Sequence, residues 1–191
     1  MVKSQLVKVY LFFLLSIFFF SCGNSTPKNA PKDTIEIQKS ENEDDLLFSM
    51  AGELIANPRT QAEKDKNTII NYMMDEGIEL QSTESGLYYQ MIEEGTGKNA
   101  EWADWVKVNY KGYTLDGEIF DSSYKRGKSI EFYIGNMIPG WNEGLQLMKP
   151  GGKAFFVVPS GLAYGEKGFK KIIPPHTTLA FEVELVEAGK K

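Results

Sequence analysis

Ten side chains in the second half of the chain could act on a ligand: Tyr110, Phe120, Asp121, Ile130, Met137, Ile138, Trp141, Tyr164, Ile173 and Phe181. Each stands singly at or just beyond the end of a strand-like or helical segment, or in a loop, where small domains put their binding sites. Nine carry aromatic or aliphatic surface and one a carboxylate. A general acid–base pair would need a second titratable group within reach of Asp121, and the neighbouring sequence suggests none. The chain has one cysteine and one histidine, so neither a Cys/His metal cluster nor a disulfide framework can form within it. His176 follows Pro174-Pro175 in a loop and reads as a structural hydrogen-bonding residue. The chemistry that remains is non-covalent: an apolar, aromatic pocket, needing no metal or cofactor. Periodicity alone would place several of these residues in the core. Trp141, Leu145 and Met148 share a helical face, Phe181 belongs to a strand, and Asp121 could simply cap the Ser122-Ser123 turn.

The elements that must position them form an α+β pattern. Tyr88 to Ile92 alternates with its neighbours, and Val106, Val108 and Tyr110 alternate with Lys107, Asn109 and Lys111, which predicts half-buried strands. Asp116-Gly117 marks a tight hairpin, with Ile119-Phe120 starting the return strand. Ser129–Ile134 is a further strand, closed by Gly135-Asn136. Pro139 suits a first helical turn, and Lys149-Pro150-Gly151-Gly152 stops the one helix of this domain. Ala154–Val158 is a continuous apolar run, predicted to be a central strand under that helix. Leu179–Leu185 alternates as the last strand. The seventeen-residue stretch Pro159–Pro175 reads as a long loop, a length that in compact domains is usually functional.

Two short helices are predicted before this domain, over 46–77. Leu46, Leu47, Met50, Leu54 and Ile55 fall near helical spacing until Asn57-Pro58. Thr60 and Glu63 make a capping box before Ile69, Ile70, Met73 and Met74, and Gly77 is the stop. Such short helices must pack, on their own domain or on a second copy. Upstream, Lys3 and Lys8 precede the apolar run Val9–Phe20, which ends at Ser21-Cys22. This pattern predicts a signal segment over 1–21 with Cys22 as a lipid-bearing residue. A polar tether follows over 22–45, too poor in apolar residues to fold alone. The net charge is −5, of which the first twenty-one residues contribute +2. The remaining −7 argues against a nucleic-acid-binding surface.

In order and spacing, Val108-Asn109-Tyr110-Lys111-Gly112, Phe120-Asp121-Ser122-Ser123, Ile138-Pro139-Gly140-Trp141, Ala163-Tyr164-Gly165, Ile172-Ile173-Pro174-Pro175-His176 and Phe181 resemble the FK506-binding-protein (FKBP) type of peptidyl-prolyl cis-trans isomerase. The resemblance covers about 81–188. It implies a twisted antiparallel β-sheet wrapped around one short α-helix, in an isomerase domain of 78–191. It also implies that Trp141 is the pocket floor, with Tyr110, Phe120, Ile130, Met137, Ile138 and Phe181 as walls and Ile173 alongside. Asp121 would sit at the polar edge near Tyr110 and Arg126, with Tyr110, Asp121 and Phe181 closest to the catalysis. The Tyr164 hydroxyl and the Ile138 amide would bond the bound segment. Proline-containing polypeptides and FK506- or rapamycin-like macrolides are the implied ligands. Two features depart from the family pattern: a short link from Gly135 to Met137, and a basic loop tip over 166–171.

The layout of anchor, short preface and single domain also resembles FKBP lipoproteins associated with gliding motility. In that light the chain is expected in the cell envelope, bound to the bilayer through Cys22. Gly23 after Cys22, in place of an aspartate, points to the outer membrane facing the periplasm. The resemblance leaves open a module that captures proline segments as a chaperone or as part of a motility machinery, with incidental turnover.

Overall fold

The computed structural model describes residues 35–39 and 42–190. The expected signal segment, Cys22 and the tether up to residue 34 lie outside the described residues. The strands are β1 (Gln81–Ser82), β2 (Tyr88–Glu93), β3 (Trp105–Thr114), β4 (Ile119–Ser122), β5 (Ile130–Tyr133), β6 (Lys153–Val158) and β7 (Leu179–Gly189). The helices are α1 (Glu43–Glu53), α2 (Gln61–Glu76), α3 (Ser123–Arg126) and α4 (Pro139–Gly144), the last continued by a 3-10 turn over Leu145–Leu147. All strand pairs are antiparallel, in the order β1-β2-β6-β7-β3-β4, with β5 also paired to β3.

Strand β3 is the spine of the sheet. Val106, Val108, Tyr110 and Gly112 are buried while the residues between them are half-buried, so the period of two in the sequence becomes two faces. On its inner face lies α4. Gly140 and Gly144 bring this helix down onto β6: a Cβ on Gly140 would sit 2.5 Å from Val158 Cγ1, and one on Gly144 would sit 2.8 Å from the Phe156 ring. Leu145 and Met148 are fully buried with Val106, Val108, Phe156, Val158, Val183 and Leu185, as their helical spacing predicts.

The outer face holds a second core. Phe155, Val157 and Ala180 pack there with Ile69, Ile70 and Met73 of α2, and with Met50 of α1. This explains the unbroken apolar run of β6, whose alternate residues feed opposite cores. The sequence placed that strand under α4 alone; it is sandwiched between α4 and α2.

Helix α2 begins and ends where its caps predict. Thr60 Oγ1 accepts from the Glu63 amide at 3.2 Å, Glu63 Oε2 accepts from the Thr60 amide at 2.8 Å, and Gly77 closes the helix in the left-handed region at φ 65°. The apolar face of α2 lies on its own sheet, the packing at home that the sequence allowed. Its buried Asp65 accepts from both the Ser160 amide (2.8 Å) and the Ser160 hydroxyl (2.6 Å), tying the helix to the start of the loop after β6. Helix α1 departs from expectation at both ends. It starts at Glu43, within the predicted tether, and stops at Glu53, because the Asn67 side chain captures the Ile55 backbone through two hydrogen bonds of 2.9 and 2.8 Å. Residues 35–39, also assigned to the tether, lie against the domain. Ile35 is buried with its amide donating to Glu182 Oε2, and Gln38 exchanges hydrogen bonds with the Gln90 side chain. An apolar residue at 35 and a carboxylate at 182 supply what composition over the whole tether obscured.

Candidate functional site

Trp141, the third residue of α4, lies beneath a set of rings that approach it edge-on. Its centroid is 5.0 Å from Tyr110 at 89° and 5.4 Å from Phe181 at 82°, and Phe120 stands 5.7 Å from Phe181 at 87°. Edge-to-face contacts of this kind match the positive ring edge to the negative ring face and add roughly 0.5–1.5 kcal/mol per pair beyond burial. They also leave rings upright, as walls rather than a stack. The arrangement depends on Gly112, which β3 presents between Asp121 on one neighbour strand and Phe181 on the other. A Cβ there would fall 2.7 Å from the Phe120 ring and 2.9 Å from the Phe181 ring. Trp141 is only 2% exposed, yet its indole N–H has no acceptor among the described residues. A buried donor left unpaired is costly, and in a native fold it calls for a reason.

One side of the cluster is polar. The Tyr110 hydroxyl donates to Asp121, Arg126 forms an ion pair with Asp121, and Arg126 also donates to the Tyr110 hydroxyl at 3.0 Å. Asp121 further accepts from the Ser122 amide at 2.8 Å, so the capping expected of it occurs together with its place in the site. Helix α3 sets this geometry. The Ser122 hydroxyl caps it, Gly127 ends it in the left-handed region at φ 62°, and the single turn between them aims Arg126 back at Asp121. The buried Ser123 hydroxyl then holds the Tyr110 backbone, accepting from its amide (2.8 Å) and donating to its carbonyl (3.2 Å).

The opposite side comes from the stretch 159–175. It is not structureless, as its length suggested: 3-10 turns occupy Ser160–Leu162 and Gly165–Lys167, and Phe169 bridges Ile173. Ile173 is buried in the same core as Trp141, while Tyr164 is half-buried with its ring 4.9 Å from Phe169. His176 is exposed, in the left-handed region, and its backbone amide donates to the Gly165 carbonyl at 2.8 Å. Met137 and Ile138 approach from the head of α4. The Asn142 side chain fixes the short link before them, accepting from Gly135 and Met137 amides (2.8 and 3.2 Å) and donating to the Met137 carbonyl (2.7 Å).

Burial, and next the hydrogen bond to the Asp121 carboxylate, push the Tyr110 phenol up to about 12. Burial likewise raises Tyr72 to about 12 and Tyr113 further on the outer face. Each raised phenol favours the folded state below the unfolded value of about 10 and gives up that contribution as pH rises through its folded value. Stability to urea is therefore expected to hold up to about pH 10 and to fall between about pH 10 and 12. Absorbance at 295 nm at pH 11 should show fewer ionised tyrosines in the folded chain than in the urea-unfolded chain. Equal ionisation would show that these phenols are not held back by burial.

Nine of the ten residues singled out from the sequence belong to or pack against the inner core, and Asp121 joins it through Tyr110. Five of them, Tyr110, Phe120, Asp121, Trp141 and Phe181, meet in the ring cluster and its polar edge. Two contributors were overlooked. Phe132 lies 6.0 Å from Trp141 and sits two residues from Ile130 on the same face of β5, so the period of two could have found it. Helix α3, which delivers Arg126, was missed because four residues show no helical period; its signal was the Ser122-to-Gly127 punctuation. Among the described residues no group of three or more His, Cys, Asp or Glu side chains could hold a metal ion, and no helix is long and apolar enough to cross a membrane.

Comparison with known proteins bears on this geometry directly. The family model described as FKBP-type peptidyl-prolyl cis-trans isomerase matches residues 97–186. A probable FKBP-type peptidyl-prolyl cis-trans isomerase of Haemophilus influenzae is 36% identical over 170 residues, covering 86% of this chain and 70% of the relative. FkpA, an FKBP-type isomerase of Escherichia coli, is 44% identical over 124 residues, covering 65% of this chain and 45% of its own length. Against the crystal structure of E. coli FkpA the TM-score is 0.61 at 38% identity, covering 75% of this chain and 64% of that one. A peptidyl-prolyl cis-trans isomerase structure from Pseudomonas syringae gives 0.58 at 30% identity, covering 70% of this chain and 100% of that one.

Proposed function

The chain belongs to the FKBP-type peptidyl-prolyl cis-trans isomerase family, and on that premise we propose that the Trp141 cluster is the pocket in which it rotates X-Pro bonds of exported proteins. The observation that carries this reading is the set of upright rings around a buried indole whose N–H lacks a partner. The prolyl ring would rest on Trp141 between Tyr110, Phe120 and Phe181, with Ile130, Met137, Ile138 and Ile173 closing the apolar surface. The Ile138 amide stands at the N-cap of α4, where a helix has no acceptor of its own to offer. It would bond the chain beside the proline, with the Tyr164 hydroxyl doing the same from the opposite side.

The reaction makes and breaks no covalent bond. Resonance holds the amide planar behind a barrier of about 18–20 kcal/mol and gives it a large dipole. Twisting removes the resonance and much of that dipole. An apolar aromatic box therefore tolerates the twisted form better than the planar one, and this difference in binding is the catalysis. A lowering of the barrier by about 4–6 kcal/mol corresponds to roughly 10³–10⁴-fold. The Tyr110–Asp121–Arg126 edge holds the walls and presents polarity to the flanking peptide. FK506- or rapamycin-like macrolides would compete for the same box.

The sequence pattern of 1–22 supports a lipid anchor at Cys22 and a place in the cell envelope, at the outer membrane facing the periplasm. Isomerisation of a proline tetrapeptide by the full chain tests the reading. A rate above background that a macrolide abolishes is expected; no rate from a chain with native near-UV circular dichroism would overturn it.

A further inference from the structure

The ring cluster is bordered by two basic segments on an otherwise acidic chain. Helix α3 and its exit carry Lys125, Arg126 and Lys128, and the facing loop carries Lys167, Lys170 and Lys171. All six are exposed. Residues 121–128 and 166–171, with Asp121 and Glu166 included, carry +4; the whole chain carries −5, so the remainder carries −9. Arg126 is spent on Asp121 and Tyr110, whereas none of the five lysines has an ion-pair partner among the described residues.

The two segments belong to one site. Arg126 lies over the Tyr110 ring at 5.5 Å, and Tyr164 of the loop, whose ring meets Phe169 at 4.9 Å, packs against the core cluster to which Tyr110 belongs. That core also holds Trp141 and Ile173, and burial, then the Asp121 carboxylate, raise the Tyr164 phenol. At the loop tip Phe169 and Ile172 are 38% and 53% exposed, and the Lys170 ammonium stands 5.0 Å over the Phe169 ring.

We infer that this basic rim is a second recognition element, which selects proline-containing segments bearing acidic residues on either flank. Lys125 and Lys128 would meet carboxylates at one end, Lys167, Lys170 and Lys171 at the other, and Phe169 with Ile172 an apolar residue between. The inference rests on the isomerase reading of the central site. A single exposed ion pair is weak. Several cations around one site also steer and orient an acidic chain, while the rest of the protein carries a net −9. The cations flank the ring cluster as two groups, which suits an extended peptide crossing the site better than a flat anionic surface.

Three peptides sharing a Leu-Pro-Phe centre, with Glu-Glu, Gln-Gln or Lys-Lys at both ends, test it on the full chain. Exchange NMR reads turnover and tryptophan fluorescence reads affinity. The order Glu, Gln, Lys is expected in both, spanning about tenfold at low salt and shrinking to about twofold in 0.5 M NaCl. The K170E/K171E and K125E/K128E variants should each flatten the order, and the four substitutions together should reverse it. Equal affinities for all three peptides would overturn the inference. If no peptide were isomerised, the central reading would fail, while the order of affinities would still decide the role of the rim. Charge-sensitive binding to phosphatidylserine vesicles without peptide selectivity would assign the rim to lipid instead, and would equally overturn it.

Discussion

Replacing Phe181 by alanine is expected to lower kcat/KM on a proline tetrapeptide about 10²-fold, close to 2.7 kcal/mol of lost transition-state stabilisation. The Phe181 ring is the joint of the cluster, since it meets both Trp141 and Phe120 edge-on, and without it the floor and the Phe120 wall lose a shared support. The loss should fall mainly in kcat, because an apolar wall acts on the difference between planar and twisted amide rather than on binding both alike. Phe→Ala in a core also costs about 3–5 kcal/mol of stability. A Phe181→Leu variant, which keeps most of the volume, and a Val157→Ala variant therefore belong in the same experiment. Val157 is buried on the outer face of the sheet, packed toward α2. Phe181→Leu should lose about tenfold in kcat/KM, whereas Val157→Ala should lower stability and leave kcat/KM within about twofold. Wild-type turnover by Phe181→Leu would place the chemistry elsewhere.

A chain beginning at residue 78, where the sequence pattern puts the start of the isomerase domain, is expected not to fold stably. Ile69, Ile70 and Met73 are buried against the outer face of the sheet. At about 1.5–3 kcal/mol for each buried side chain, the three contribute roughly 5–9 kcal/mol, comparable to the whole stability of a typical domain. Their removal would expose Phe155 and Val157 as an apolar strip and leave the Ser160 amide and hydroxyl without Asp65. Thermal unfolding followed by circular dichroism should show a Tm lower by about 15 °C or more than that of the full chain, or no transition at all. The unpairing of Ser160 should also loosen the loop that carries Tyr164, seen as faster amide exchange there than in β3. An unchanged Tm would mean that α2 is an appendage rather than half of a core.

That second core shows where reading the sequence reached its limit. The strand periods of β3 and β7, the hairpin at Asp116-Gly117, the Thr60–Glu63 box and the stop at Gly77 are local signals. Each depends on residues within a few positions of one another, and each appears in the structure as read. The run Ala154–Val158 was equally legible as a buried strand. What covers its second face was not, because Ile69 and Phe155 are far apart in sequence and periodicity has no reach across that distance. The same applies to Ile35 on Glu182, Asn67 on Ile55 and Asp65 on Ser160, where a side chain from one element settles the backbone of another.

The site divides along the same line. Residue types in order and spacing determined by themselves the family and the fold class. Only the tertiary structure decided how those residues stand: Trp141 beneath upright rings because Gly112 gives them room, Asp121 bound to Tyr110 and Arg126 because one turn of helix intervenes, and the basic segments of α3 and the loop brought to one site. Order along a chain survives in the sequence. Orientation and proximity arise only when distant segments compete for the same buried space.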